Sequence, residues 1–197
     1  MSTLMSTRLR YGAAAQVFHW LTVALVATAY LISPGGSEQR VYSAASDFTR
    51  HIHETTGTLI FATVLARILW RLIDAAPDAP PMEPWMKYSA KIAHLALYAL
   101  LLALPLTAIV GAWLEGHAIT LLGVGNLGPT LPLAHNIGQD VSYIHTILGN
   151  VIIWAAGLHA TAALLHHFVL RDNVLTSMLP DWRRSPASAG NISQKPA

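Results

Sequence analysis

One apolar stretch, Tyr143 to Leu170, carries four of the residues in this sequence most able to do chemistry: His145, His159, His166 and His167. His145 and His159 lie 14 residues apart. At about 100° per residue that separation falls only ~40° short of whole turns, so on a helix both imidazoles share one face. At ~1.5 Å per residue they stand ~21 Å apart along the axis. One helix thus offers a nitrogen ligand to the same side at two depths, as stacking two haems across a bilayer requires.

The rest of the chain must then supply the membrane and the opposing ligands. Its 197 residues are 53% hydrophobic and only 11% charged, well below the charge of soluble domains, which places it among membrane proteins. Four runs meet the length needed to span: roughly Ala13–Ser33, Thr55–Leu72, Ile92–Trp113 and Tyr143–Leu170. The expected fold is all-α: a four-helix transmembrane bundle over residues 1–180, with a disordered tail over 181–197. There is no cysteine. That excludes disulfides, iron–sulfur clusters, thiolate-ligated haem and covalent c-type attachment, so any haem here is b-type, held by His or Met.

Basic residues set the orientation. Arg8, Arg10, Arg67, Arg71, Lys87, Lys91, Arg171, Arg183, Arg184 and Lys195 fall on one side, and only Arg40 and Arg50 on the other. Both termini are therefore expected in the cytoplasm. The first span, although preceded by basic residues, is long and holds a histidine, and is read as a retained anchor rather than a signal peptide.

Each of the other spans brings a histidine. His19 lies about two turns inside the cytoplasmic end of the first, beside Trp20, expected as an interfacial anchor. His53 is near the outer end of the second, and Arg67 follows it by 14 residues on the same face. Arg67 and Arg71 are expected among the cofactor-binding residues, Arg67 meeting a haem propionate; the alternative is that both reach the inner headgroups. His94 is near the cytoplasmic end of the third span, whose Pro105 should kink it and free a backbone carbonyl. The inner loop, DAAPDAPPMEPWMK, should lack regular structure, and the long outer loop Leu114–Val141 is a candidate lid.

Depth sorts the histidines into ligand pairs: His53 with His145 outside, His19 with His159 inside. The metal ligands expected are thus His19, His53, His145 and His159, with His94 the competitor of His19. Gly57 and Gly149 follow His53 and His145 by one turn and leave room for a porphyrin. His51, His117 and His135 are expected in loops. His166 follows His159 by two turns on the same face, at the inner boundary. It suits either a quinone head group, as hydrogen-bond donor or proton relay, or a plain interfacial site.

These residues fall in segments reading FHWL, HETTG, AHLALYALLLALP and HTILGN…GLHATAALLHHFVLRDNVLTSMLP. The chain resembles the bacterial cytochrome b561 family from about Tyr11 to Pro180, and more distantly the haem b subunits of formate dehydrogenases and nickel–iron hydrogenases. The resemblance implies a multi-pass protein of the bacterial inner membrane with two b haems, exchanging electrons with the quinone pool. It assigns ligation to His19, His53, His145 and His159 and a quinone contact to His166. Some members of the family oxidise superoxide at the outer face and reduce ubiquinone. The lysines of the family's inner loop are displaced here to Lys87 and Lys91.

The expected activity is that of an oxidoreductase: a one-electron donor at the outer face, superoxide in the family's manner, and quinone as acceptor. Arg50, three residues before His53, is the better placed of the two outer cations to steer an anion. The alternative is a membrane anchor passing electrons between a partner dehydrogenase and quinone. A proton or zinc transporter is a third reading, weakened by the absence of Asp and Glu deep in the spans.

Overall fold

Each of the four apolar runs folds as a single long helix. The computed structural model describes residues 4–180; the tail expected to be disordered lies outside the described residues. In chain order the elements are α1 (Ala13–Leu31), α2 (Glu38–Val41), α3 (Asp47–Ile73), α4 (Pro84–Leu114), β1 (Ile119–Leu121), β2 (Gly125–Leu127), α5 (His135–Leu165) and α6 (Val174–Met178). A π-helical turn, His166–Leu170, prolongs α5. The helices α1, α3, α4 and the combined His135–Leu170 rod are long and apolar enough to cross a membrane. We call the end holding His53 and His145 outer and the opposite end inner.

Three helices begin earlier than their apolar runs: α3 at Asp47, α4 at Pro84 and α5 at His135. Hydropathy marks only the residues that suit hydrocarbon, whereas a helix continues into the polar headgroup zone. Two expectations are corrected by this. His51 and His135 are helical rather than loop residues, and the end of the proline-rich inner loop is helix, because Pro84 sits where a missing N–H costs nothing. His117 does lie in the connection before β1. The outer connection also contains a hairpin, with Thr120 opposite Asn126 and its turn made by Gly123 at φ 76°.

α1 packs along α3 and α4 along α5, while α3 meets α4. The shared core is thin: Ala29, Ile60, Val64, Leu101 and Ile152, of which Val64 is fully enclosed. Outward residues such as Leu95, Trp154 and Leu158 are exposed, as lipid-facing side chains should be. Small residues bring α4 and α5 together at the outer end. A Cβ on Gly138 would stand 3.0 Å from the Gly111 carbonyl oxygen and 2.7 Å from Glu115 Cγ, so only glycine permits this crossing.

Both ends are stitched. At the outer end the hairpin docks on the first turns of α3: the Thr120 amide donates to Glu54 Oε2 (2.7 Å) and the Leu122 amide to Thr55 Oγ1 (3.0 Å). At the inner end Trp20 Nε1 donates to the Met178 carbonyl (2.9 Å), and Gln16 Nε2 to that of Ser177 (3.2 Å). Trp20 thus anchors α1 to α6. Asp74, only 2% exposed, caps α3 and accepts from the Ser6 amide (2.8 Å), Ser6 Oγ (2.7 Å) and Trp70 Nε1 (3.1 Å). Burial, the largest single influence, would raise its pKa, but the Ser6 and Trp70 hydrogen bonds and the nearby Arg71 charge together hold the carboxyl below its usual value. A depressed folded pKa gives stability that is present above the unfolded pKa and lost as pH falls through the folded one. Asp74→Asn should therefore lower the thermal midpoint at pH 7, on the order of 1–3 kcal/mol, and the gap to wild type should close in a melting series towards pH 3. An unchanged midpoint at pH 7 would remove this cap from the account.

Candidate functional site

The outer histidines come from facing helices. His53 is on the second turn of α3, and His145 is ten residues into α5. Their ring centroids are 6.2 Å apart with planes at 88°. His53 Nδ1 meets the Ala29 carbonyl oxygen at 2.9 Å, and His145 Nδ1 meets that of Leu104 at 2.9 Å. A carbonyl only accepts, so each Nδ1 carries its proton and each Nε2 keeps a free lone pair, the tautomer a metal requires.

Both carbonyl partners have local origins. Ala29 is in the last turn of α1, and the Ser33 amide that would reach it bonds instead to Tyr30. The orphan acceptor of a helix end is thereby satisfied by His53. On α4 the helix runs unbroken through Pro105, whose missing amide frees the carbonyl of Leu101 four residues back. His145 nevertheless bonds to the carbonyl preceding the proline, Leu104, which also accepts from Thr107 Oγ1 at 2.9 Å. The expected free carbonyl and the one that orients the ligand are neighbours on α4, not the same atom.

Gly57 and Gly149 stand open, with no atom within 4 Å of a Cβ placed on either, and both line one cavity with His53, His145, Pro105 and Ile119. Ile119 comes from the hairpin, so the outer connection forms part of that cavity's wall. This donor set fits a haem. Metal–imidazole bonds of ~2 Å on opposite sides of an iron place the two ring centroids roughly 6.3 Å apart, close to the separation here.

The inner level gathers three imidazoles. The His19 and His159 centroids are 6.5 Å apart, and those of His94 and His159 5.5 Å. His19 is partly buried and His94 exposed. Arg67 reaches this level as its spacing from His53 implies: Nη2 is 3.4 Å from His19 Nδ1, and the guanidinium lies over the Tyr98 ring at 5.4 Å. Because a guanidinium only donates, this contact makes His19 Nδ1 the acceptor. Ligation through Nε2 requires Arg67 to release it, which an anionic group beside the ring would induce. Arg71 is engaged elsewhere, donating to the Asp74 carbonyl at 3.3 Å and facing the Tyr11 ring.

Two remaining candidates have partners that spacing does not reveal. Arg50 bridges Asp47 (2.7 Å) and Glu54 (3.0 Å) with only 12% of its side chain exposed. Its charge is thus locally compensated by two carboxylates, which weakens any steering of an anion. It still lines an outer recess with Tyr42, His51 and His117. Burial first, then the Glu54 and Glu115 carboxylates, push the Tyr42 phenol far above its usual range and keep it protonated. His166 stands at the start of the π-helical turn, its Nδ1 2.5 Å from Asp172 Oδ2. The π turn, closed by Arg171 at φ 55°, brings Asp172 back to that histidine.

Facing imidazoles at two levels of a four-helix membrane bundle are the arrangement that suits a haem-binding bundle protein. The chain belongs to the prokaryotic cytochrome b561 family, whose model matches residues 10–181. It is similar to "Cytochrome b561 homolog 2" of Escherichia coli K12, 28% identical over 171 residues covering 86% of this chain and 91% of the relative. It is also similar to "Probable superoxide oxidase CybB" of Yersinia pestis, 32% identical over 168 residues, 84% of this chain and 93% of the relative. A third relative, "Cytochrome b562" of Cereibacter sphaeroides, is 27% identical over 167 residues, 82% and 89% of the two chains. The protein is accordingly a multi-pass membrane oxidoreductase that binds b-type haem and carries electrons across the membrane.

Proposed function

We propose that the chain, as one domain over residues 1–180 in the bacterial inner membrane, holds two b haems and passes single electrons from superoxide at the outer face to a quinone at the inner face. The observation that carries this reading is the stacking of two histidine levels: His53 opposite His145, and His19 opposite His159. A haem at each level supplies reversible one-electron redox chemistry. The chain's own part is to hold and orient. Ala29 and Leu104 lock the outer imidazoles in the ligating tautomer, Gly57 and Gly149 leave space for the ring, and Arg67 is at hand for a propionate carboxylate.

The His19–His159 assignment, in preference to His94, rests on partial burial and on the 6.5 Å separation, which lies nearer the bis-imidazole value than 5.5 Å does. Superoxide as donor is supported by the relative named a probable superoxide oxidase. The overall reaction balances as two superoxide ions giving two O2, with one quinone taking up the two electrons and two protons to become quinol. His166, paired with Asp172, is positioned to hand a proton to the quinone oxygen at the inner boundary.

The test is a stopped-flow mixing of haem-loaded protein with superoxide, followed at the haem absorption bands. Reduction within the mixing time, reversed by added short-chain ubiquinone, is the expected outcome. Bands that respond to dithionite but never to superoxide would reject this donor and favour the anchor-subunit alternative.

A further inference from the structure

On the outer face, away from the four histidines discussed so far, three segments distant in sequence converge. Glu38 comes from α2, Glu115 and His117 from the end of α4 and the turn that follows, and His135 from the first position of α5. One donor atom from each of Glu38, Glu115 and His117 lies within 4.8 Å of the others. His117 Nε2 is 2.9 Å from Glu38 Oε1, and His135 Nε2 is 3.2 Å from Glu38 Oε2.

Two features set this cluster apart from a patch of surface acids. Glu115 is 8% exposed, and a buried carboxylate needs a compensating charge. Among the described residues no lysine or arginine forms an ion pair with Glu115 or Glu38: the only ion-pair partners of Glu38 there are His117 and His135, and Arg50 is committed to Asp47 and Glu54. The donors are also held in place by neighbours. Ser142 Oγ donates to Glu115 Oε1 at 2.6 Å, Gln139 Nε2 donates to Glu38 Oε2 at 3.2 Å, and the His117 ring stacks on Tyr42 at 3.5 Å and 16°. Outer partners that fix the ligands in this way are characteristic of metal sites.

We propose that Glu38, Glu115 and His117 bind a divalent first-row cation of the zinc class at the outer face, with His135 as the fourth donor. Mixed imidazole and carboxylate ligands suit such an ion. Four-coordinate zinc at ~2.0–2.2 Å sets its donors about 3.3–3.6 Å apart, so the Glu38–His117 and Glu38–His135 contacts at 2.9 and 3.2 Å would open slightly and the wider separations close, by side-chain rotation. The ion clasps the α1–α3 connection to the α4–β1 turn and to the start of α5. It thereby holds the hairpin, whose Ile119 walls the cavity of His53 and His145. The proposal is independent of the identity of the electron donor.

The experiment uses tag-free, haem-loaded protein in detergent, stripped with chelator and dialysed against graded free Zn2+, with bound zinc measured by mass spectrometry. One saturable equivalent is expected. Glu115→Gln, which keeps the Ser142 bond, and His117→Gln should each weaken binding at least tenfold, with the Soret band as the control for folding. His167→Gln, at the inner end, should bind as wild type. Zinc should raise the thermal midpoint of wild type and of His167→Gln, and not that of the two site variants. The proposal is overturned if wild type takes up no saturable equivalent, or if Glu115→Gln and His117→Gln bind as tightly as wild type. Should one site variant fail to retain haem, the other decides in the same way.

Discussion

His145→Ala lowers the haem content from two per chain to one, and His53→Ala removes the same one. That is the expected result of a reduced-minus-oxidised spectrum with haem quantification on membranes holding each variant. The two side chains share one level, 6.2 Å between ring centroids, and each is aimed by a backbone carbonyl of a different helix. Losing either would leave only one imidazole at this level to hold a haem, and a single ligand would not retain it. His159→Ala and His19→Ala should remove the other haem and spare the first, and His94→Ala should retain both. Loss of the inner haem in His94→Ala with its retention in His19→Ala would transfer the ligand role to α4. A wild-type protein with a single haem would end the two-level reading altogether.

His166→Ala should slow quinone reduction by about two to four orders of magnitude while haem content and reduction by the outer donor stay as in wild type. General acid–base groups contribute about 10²–10⁴-fold, and the imidazole is held by Asp172 at 2.5 Å. Asp172→Asn keeps an acceptor for Nδ1 at the same position, so only about a tenfold effect is expected. The split matters more than the size. If His166→Ala loses haem in proportion to activity, the residue supports the inner level and does not serve the quinone.

The legible part of this protein was its spacing. Fourteen residues between His145 and His159, repeated between His53 and Arg67, place side chains at two levels because helix periodicity is a local property. The structure brings together the pairs that this spacing implies, and the four spans follow directly from hydropathy. What stayed hidden depends on contacts between distant segments. Nothing local in Ala29 or Leu104 announces that its carbonyl will orient a histidine. The β1–β2 hairpin is three residues to a side, too short for alternation to register, and is held by Glu54 and Thr55 from another helix. Asp172 reaches His166 only through a π-helical turn that the apolar run conceals. The pairing of Arg50 with Asp47 and Glu54, three and four residues away, forms because α3 begins at Asp47, ahead of the apolar run.

Between His145 and His159 the chain reads TILGNVIIWAAGL, with no ionisable side chain. On the proposed path α5 supplies no titrating group to accompany an electron from one level to the other, so its passage would be electrogenic. The levels are ~21 Å apart in a hydrocarbon layer of ~30 Å. Each inward electron thus works against about two-thirds of the membrane voltage, roughly 1.5 kcal/mol per 100 mV. An energised cell brakes the proposed inward reaction and a de-energised one releases it.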